Sequence, residues 1–260
     1  MEIYWFDASH FKPNKMIVVY QENGWQIISQ RAHGLLAGEI CSHWKNENHP
    51  ERWLETIIAT AEHDDAYNEF DEDNVLLNEN GGPVNFKMRN FEKEKCDKLI
   101  SHALTKSRYI TLLVARHIRF LYENEQDSVV KKYCAALQKK ETGWMKEIAL
   151  KAKDLTAAYS ILEWCDALSL LICQGLIQPE NRSIEISSGP DNKHYKLHSP
   201  ERYVLNVNPW PFERDQFSVS YESRTISQLT FQNIGQFRNA LMEATVDFHK
   251  FNFVKHNLAK

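Results

Sequence analysis

The period of apolar and polar positions changes twice along the chain. Residues 16–29 carry two short runs rich in β-branched and aromatic residues, Met16-Ile17-Val18-Val19-Tyr20 and Trp25-Gln26-Ile27-Ile28. They flank Asn23-Gly24, a pair suited to the positive φ angles of a tight hairpin turn. From residue 30 the spacing becomes helical. Leu35, Leu36, Ile40 and Trp44 predict a helix over 30–45, and Trp53, Leu54, Ile57, Ile58 and Ala61 predict another over 51–64. Residues 65–90 are acidic and then read Asn-Glu-Asn-Gly-Gly-Pro, which predicts a long loop of the kind that often carries function. Helices are expected again over 91–105, 107–123, 126–151 and 153–176, the last holding the densest apolar run. After Pro179 the period falls to two at Tyr203-Val204-Leu205-Asn206-Val207 and Phe217-Ser218-Val219-Ser220-Tyr221, with Arg224–Ile226 extending the second strand. A final helix is expected over 233–249.

This pattern predicts a mainly α fold in three parts. A leader and β-hairpin span 1–29, a helical domain spans 30–178, and a small α+β appendage packed on it spans 179–260. The leader, 1–15, is expected to hold one short strand. The hairpin is expected to join the C-terminal strands, because a two-stranded ribbon alone is marginal in water.

Composition narrows the class. The 260 residues are 43% hydrophobic and 25% charged, an ordinary balance for a globular chain. A formal net charge of −4 and a pI of 6.3 give no argument for nucleic acid or an anionic membrane as partner. No uninterrupted apolar run has the length of a membrane span, and Met1-Glu2-Ile3-Tyr4-Trp5-Phe6-Asp7 lacks the basic, apolar pattern of a signal peptide. The five cysteines include no Cys-x-x-Cys pair. They read as reduced thiols of a cytoplasmic protein, and their spacing excludes a zinc ribbon.

Candidate chemistry enters with a scattered set of polar residues on apolar helical ground: His33, the adjacent pair His63-Asp64, His117 and Asp166. Imidazole and carboxylate groups cost free energy when buried unless something pairs with them. Asp166 shares its helical face with Leu162, Ser169, Leu170 and Cys173, and His117 shares one with Leu113, Val114, Phe120 and Leu121. Gly34, Ala37 and Gly38 make the surroundings of His33 small enough to admit an ion. Adjacent helical residues point about 100° apart, so His63 and Asp64 reach one ion most easily at a helix end, and the apolar helix does end there. A shared divalent transition metal (zinc, manganese or iron) would pair with all of these donors at once. Pro209-Trp210-Pro211-Phe212 reads as a rigid apolar plug between appendage and core. Phe70-Asp71-Glu72-Asp73 reads as solvated loop.

The order His, His-Asp, His, Asp on separate helices resembles the HD-domain superfamily of metal-dependent phosphohydrolases, an all-helical fold. More closely, residues 16–250 resemble a bacterial family of uncharacterised proteins. The matching stretches are Met16-Ile17-Val18, Gln30-x-x-His33-x-x-Leu36-Ala37-Gly38, Ala61-Glu62-His63-Asp64-Asp65, Cys165-Asp166-x-Leu168-Ser169-Leu170 and Pro209-Trp210-Pro211-Phe212. Where that family carries tryptophan three residues after Asp64, this chain has Tyr67.

The HD resemblance implies His33, His63, Asp64 and Asp166 as metal ligands. His117 would be a further ligand or a group facing substrate or a second metal. Asp65 or Glu62 would act as base or orient a ligating histidine. Arg116 and Arg31, with Tyr67, would contact a small, phosphorylated substrate. Three functions fit this set. The first is a metal-dependent hydrolase of a phosphoester or nucleotide. The second is an HD-type di-iron oxygenase, for which His117 and His102 are the spare histidines. The third is a non-catalytic binding module with structural histidines.

Overall fold

The computed structural model describes residues 16–66, 68–70, 76–88, 90–180, 182–190 and 192–255. The leader 1–15, Tyr67 and the acidic run Asp71–Asp73 lie outside these residues, as do the expectations attached to them. In chain order the elements are β1 (Ile17–Gln21), β2 (Gly24–Ile28), α1 (Gln30–Ser42), α2 (Trp53–Ala61), α3 (Lys93–Leu104), α4 (Arg108–Tyr122), α5 (Ser128–Glu147) and α6 (Ala152–Cys173). They continue with β3 (Ser183–Ser188), β4 (His194–Glu201), β5 (Val204–Asn208), β6 (Gln216–Ile226), α7 (Ile234–Glu243) and β7 (Val246–Val254).

The expected hairpin forms and joins the C-terminal strands, through antiparallel pairing of Trp25 with Ile226. Its turn falls on Glu22-Asn23, one residue earlier than expected. Gly24 follows at φ 127°, where a Cβ would strike the Ile226 carbonyl of β6. Glycine is therefore required at that position by both torsion and space. Side-chain caps start several helices: Ser29 accepts from Ala32 N–H, Ser107 from Ile110 N–H, and Asp127 from Val129 and Val130 N–H.

The mainly α, HD-like fold with a small β appendage does not hold, nor does an all-α class. Of the described residues 46% are helical and 24% strand, and the sheet curls into a half-barrel. Among the described residues this sheet has seven strands in the order β1-β2-β6-β7-β5-β4-β3. All neighbours are antiparallel except β5 and β7.

Three strands account for the difference. β3 has no fully buried residue, and its apolar alternation is only Ile184 and Ile186, two positions long. β4 buries only Tyr195 and Leu197 and contains Pro200. β7 exposes Val246 and Phe248 while burying Phe251 and Phe253, so its apolar residues do not fall on one face. That mixture merged with α7 into an apparent helix over 233–249. Pairing with β6 along its whole length from Gln216–Val254 to Arg224–Val246 made β7 a strand instead. Local periodicity is a weak guide wherever a sheet partner decides the outcome.

The core is built around α6. One side of it, with Trp164, Cys165, Leu168 and Ile172, packs with Leu36, Ala37 and Ile40 of α1 onto Leu197, Leu205, Val207, Val219 and Phe253 of the sheet. The other side, with Leu155, Ala158 and Leu162, packs into the helical layer of α3, α4 and α5. A smaller cluster seats α7 on the hairpin end through Phe237, Leu241, Ile27 and Ile226. Phe212 is buried against Trp44, Trp164 and Phe217, while Lys45 N–H donates to the Pro211 carbonyl and Glu213 N–H to that of His43. The Pro209–Phe212 segment thus packs sheet onto helix.

Candidate metal centre

The site lies where α1, the turn after α2, α4 and α6 meet. His33 is in the first turns of α1. His63 and Asp64 follow the end of α2, as their adjacency demanded. His117 projects from α4 and Asp166 from α6. What brings α1 and α2 together is a pair of glycines one turn apart. A Cβ on Gly34 would strike the Ala61 carbonyl oxygen, and one on Gly38 would lie 2.7 Å from Ala61 Cβ. The small residues around His33 therefore serve close helix approach.

The donors converge. His33 Nε2 lies 3.3 Å from His63 Nε2 and 3.0 Å from Asp166 Oδ1, and His63 Nε2 lies 3.3 Å from Asp166 Oδ1 and 3.7 Å from Asp64 Oδ2. His117 stacks edge-on against His63 with ring centres 4.9 Å apart. Ligand-capable atoms of His33, His63 and Asp64 fall within 4.8 Å of one another, as do those of His63, His117 and Asp166. His33 and His63 are 0% exposed, His117 1% and Asp166 8%, so these polar groups depend on one another or on a bound cation rather than on water.

The far side of each imidazole fixes which nitrogen faces inward. His63 Nδ1–H donates to the Thr60 carbonyl at 2.7 Å. Ser169 Oγ–H donates to the Asp166 carbonyl at 2.8 Å, so its oxygen accepts from His33 Nδ1–H at 2.9 Å. Both Nε2 atoms are thereby aimed at Asp166. Holding the outer nitrogen through a carbonyl or hydroxyl is how proteins orient metal-binding histidines. Ligands about 2.0–2.2 Å from a tetrahedral ion sit roughly 3.3–3.6 Å apart. The inner donor spacings are close to that range, so the donor set fits a zinc-like or related divalent ion in both chemistry and spacing.

Electrostatics reinforce the picture. Burial would push the His63 pKa down, but the carboxylates of Asp166 and Asp64 outweigh it and raise it to about 9. Burial would push Asp166 and Asp64 up. His63, with His33 for the former and His117 for the latter, instead holds both below the usual carboxylate range. Tyr159, whose hydroxyl lies 3.4 Å from His117 Nδ1, is kept neutral by burial. The cluster demands a positive charge at its centre, and a proton on His63 or a metal ion would supply it.

The remaining residues singled out in the sequence lie apart from this cluster. Asp65 pairs with Arg31 at 2.7 Å and faces His102 Nδ1 at 3.9 Å. Glu62 pairs with Lys106 at 2.9 Å. Arg116 and Arg119 converge on the buried carboxylate of Glu141, Arg116 through Nε at 2.8 Å and Arg119 at 3.0 Å. Thr60, Tyr159 and Ser169 had not been singled out for roles. Ser169, three residues after Asp166 on the same helix face, was the one with a legible signal.

A recess of about 30 Å³ opens onto the cluster, lined by Gln30, Asp64, Phe86, His117, Leu121, Asp166 and Leu170. Larger open grooves, of about 490 and 840 Å³, lie near Trp44–Trp210 and His49–Arg52 and include none of the cluster residues.

Fold and site together define a mixed α/β protein with a buried His/Asp cluster of metal-ligand geometry. The chain matches the family model described as a protein of unknown function (DUF3891) over residues 16–228, and it belongs to that family. No curated protein and no solved structure matches it.

Proposed function

We propose that the chain is a metal-dependent hydrolase of a phosphoester or nucleotide. His33, His63, Asp64 and Asp166 would hold one divalent transition ion, with His117 beside it. The observation that carries this reading is the convergence of His33 Nε2, His63 Nε2 and Asp166 Oδ1 within 3.3 Å of one another, with both Nδ1 protons committed outward. The ligand order, which resembles that of HD-domain phosphohydrolases, supports it further. A bound ion supplies Lewis acidity and lowers the pKa of a nearby water. His117 borders the recess and is the residue to accept and return a proton there. Asp65 and Glu62 are engaged by Arg31 and Lys106, and neither lines the recess. Phe86, Leu121 and Leu170 exclude bulk water from one side of it.

Elemental analysis of the purified chain tests the proposal. Close to one transition ion per chain is expected, together with turnover of a simple phosphoester such as p-nitrophenyl phosphate. Asp64→Ala should lose both while remaining folded. A folded wild-type protein that neither carries nor takes up metal would overturn the reading.

One observation favours a second reading, a structural cluster in a non-catalytic module. His63, raised to about 9, can hold the needed positive charge as a proton. Zinc titration distinguishes the two: at pH 8 a metal centre releases about one proton per ion bound as the His63 proton is displaced, whereas a purely structural cluster releases none. The di-iron reading gains nothing from His102, which faces Asp65 rather than the cluster.

A further inference from the structure

A second cavity, of about 160 Å³, lies beside the start of α1 and shares no lining residue with the recess at the His/Asp cluster. Two arginines line it, Arg31 from α1 and Arg224 from β6. The charges of both act on the carboxyl group of Glu69, which lines the same cavity. The Arg224 guanidinium carbon lies 5.9 Å from the ring centre of Phe70, another wall residue. The charged ends of the arginines, and not only their stems, therefore stand at the cavity.

Its positive charge is only half balanced. Arg31 pairs with Asp65 at 2.7 Å. Arg224 is half-buried and forms no ion pair among the described residues, and its Nε has no hydrogen-bond partner. Glu69 does not supply the missing charge. It is 3% exposed, and burial raises its pKa to about 7 despite both arginines. At pH 6 the two guanidiniums thus face one ionised carboxylate, that of Asp65. The other wall residues are uncharged. A guanidinium partly withdrawn from water without a counter-ion costs free energy, which an anion from outside would recover.

The remaining wall selects the anion. Ile27, Phe70 and Leu241 form an apolar side. Arginine's planar fork matches a carboxylate through two parallel hydrogen bonds. Phosphate fits the fork too, but would set its other oxygens against that apolar side. The volume is below the roughly 300–1,000 Å³ of pockets for drug-sized ligands, so the molecule is short.

We propose that this cavity binds a small organic carboxylate, its charged end held by Arg224 and Arg31 and its carbon chain lying on Ile27, Phe70 and Leu241. The proposal does not rest on the hydrolase reading and needs no metal.

The test uses the full metal-free chain at pH 6, labelled with nitrogen-15 in arginine. The Arg224 Nε signal is assigned by its loss in Arg224→Met. Butyrate, acetate and inorganic phosphate are the probes, with chloride at equal ionic strength as control. Butyrate should shift the signal saturably and bind about tenfold more tightly than acetate, the scale of two buried methylenes. Phosphate should bind more weakly than butyrate. By calorimetry, Arg224→Met should bind butyrate at least tenfold more weakly while melting no lower than wild type. Arg224→Lys, which keeps the charge and loses the fork, should fold and bind severalfold more weakly. Wild-type affinity should also fall severalfold from pH 6 to pH 8 as Glu69 ionises beside the bound anion, and Glu69→Gln should abolish that fall. No saturable shift with butyrate would overturn the proposal. So would phosphate binding as tightly as butyrate, full affinity in either Arg224 variant, or wild-type affinity that is flat from pH 6 to pH 8.

Discussion

Ser169 shows how little separates a core polar group from the support of a proposed metal ligand. Its hydroxyl is spent on the Asp166 carbonyl, which leaves its oxygen to hold His33 Nδ1 and aim Nε2 inward. Ser169→Ala is expected to lower zinc affinity about 10–100-fold in chelator competition, with little change in the urea midpoint. Unchanged affinity would remove Ser169 from the centre. Glu69 carries a second residue-scale prediction. Burial raises its pKa to about 7, against the hydrogen bond from Gln30 N–H and the charges of Arg31 and Arg224. The folded state thus prefers the neutral acid. The resulting stability is fully present below the unfolded value near 4.5 and is lost as pH rises through about 7. The loss amounts to about 3 kcal/mol at most. Glu69→Gln should flatten that part of the profile, seen as a wild-type-minus-variant difference in urea midpoints from pH 5 to 8. Of the site, the five titratable residues were legible because histidine and aspartate on apolar faces are costly. The Thr60 carbonyl was not, since any residue carries one.

Among elements, the approach of α1 to α2 places the chemistry. Gly34→Ala puts a methyl group into the Ala61 carbonyl, a backbone atom at the end of α2 that cannot swing aside. The variant is expected to lose about 1–3 kcal/mol in chemical denaturation and to weaken zinc binding by separating His33 from His63. Gly143→Ala in α5 is the control: nothing lies within 4 Å of its Cβ position. It should gain about 0.5–1 kcal/mol and leave zinc binding alone. If both glycines behave alike, helix propensity rather than close approach is what matters at Gly34. Helices α1 to α6 were readable because each buries a stripe at 3.6-residue spacing. β3, β4 and β7 were not, because their strand character comes from neighbours distant in sequence. The hairpin was readable, but its turn slid by one residue when β6 crowded Gly24.

At the scale of the whole molecule, α6 joins everything. Among the described residues it is the one helix long and apolar enough by composition to cross a membrane, yet 61% of that window is buried inside the fold. Its apolar surface faces the sheet on one side and the helical layer on the other. Because both cores share it, urea unfolding followed by tryptophan fluorescence and by far-ultraviolet circular dichroism should give coincident transitions. Trp164→Ala should cost about 3–5 kcal/mol in both signals together. Two separated transitions would show that the helical layer and the sheet unfold independently. By itself the sequence determined helices α1 to α6, the hairpin and the identity of the polar residues that burial would make expensive, because those follow from local period and side-chain chemistry. Only the tertiary structure decided that the seven described strands join in one sheet and that His33, His63 and Asp166 meet within 3.3 Å. It also decided that Asp65, Glu62 and Arg116 are spent on ion pairs elsewhere. Strand pairing, helix approach and ion-pair choice are long-range contacts, set by which surfaces meet rather than by any window of the chain.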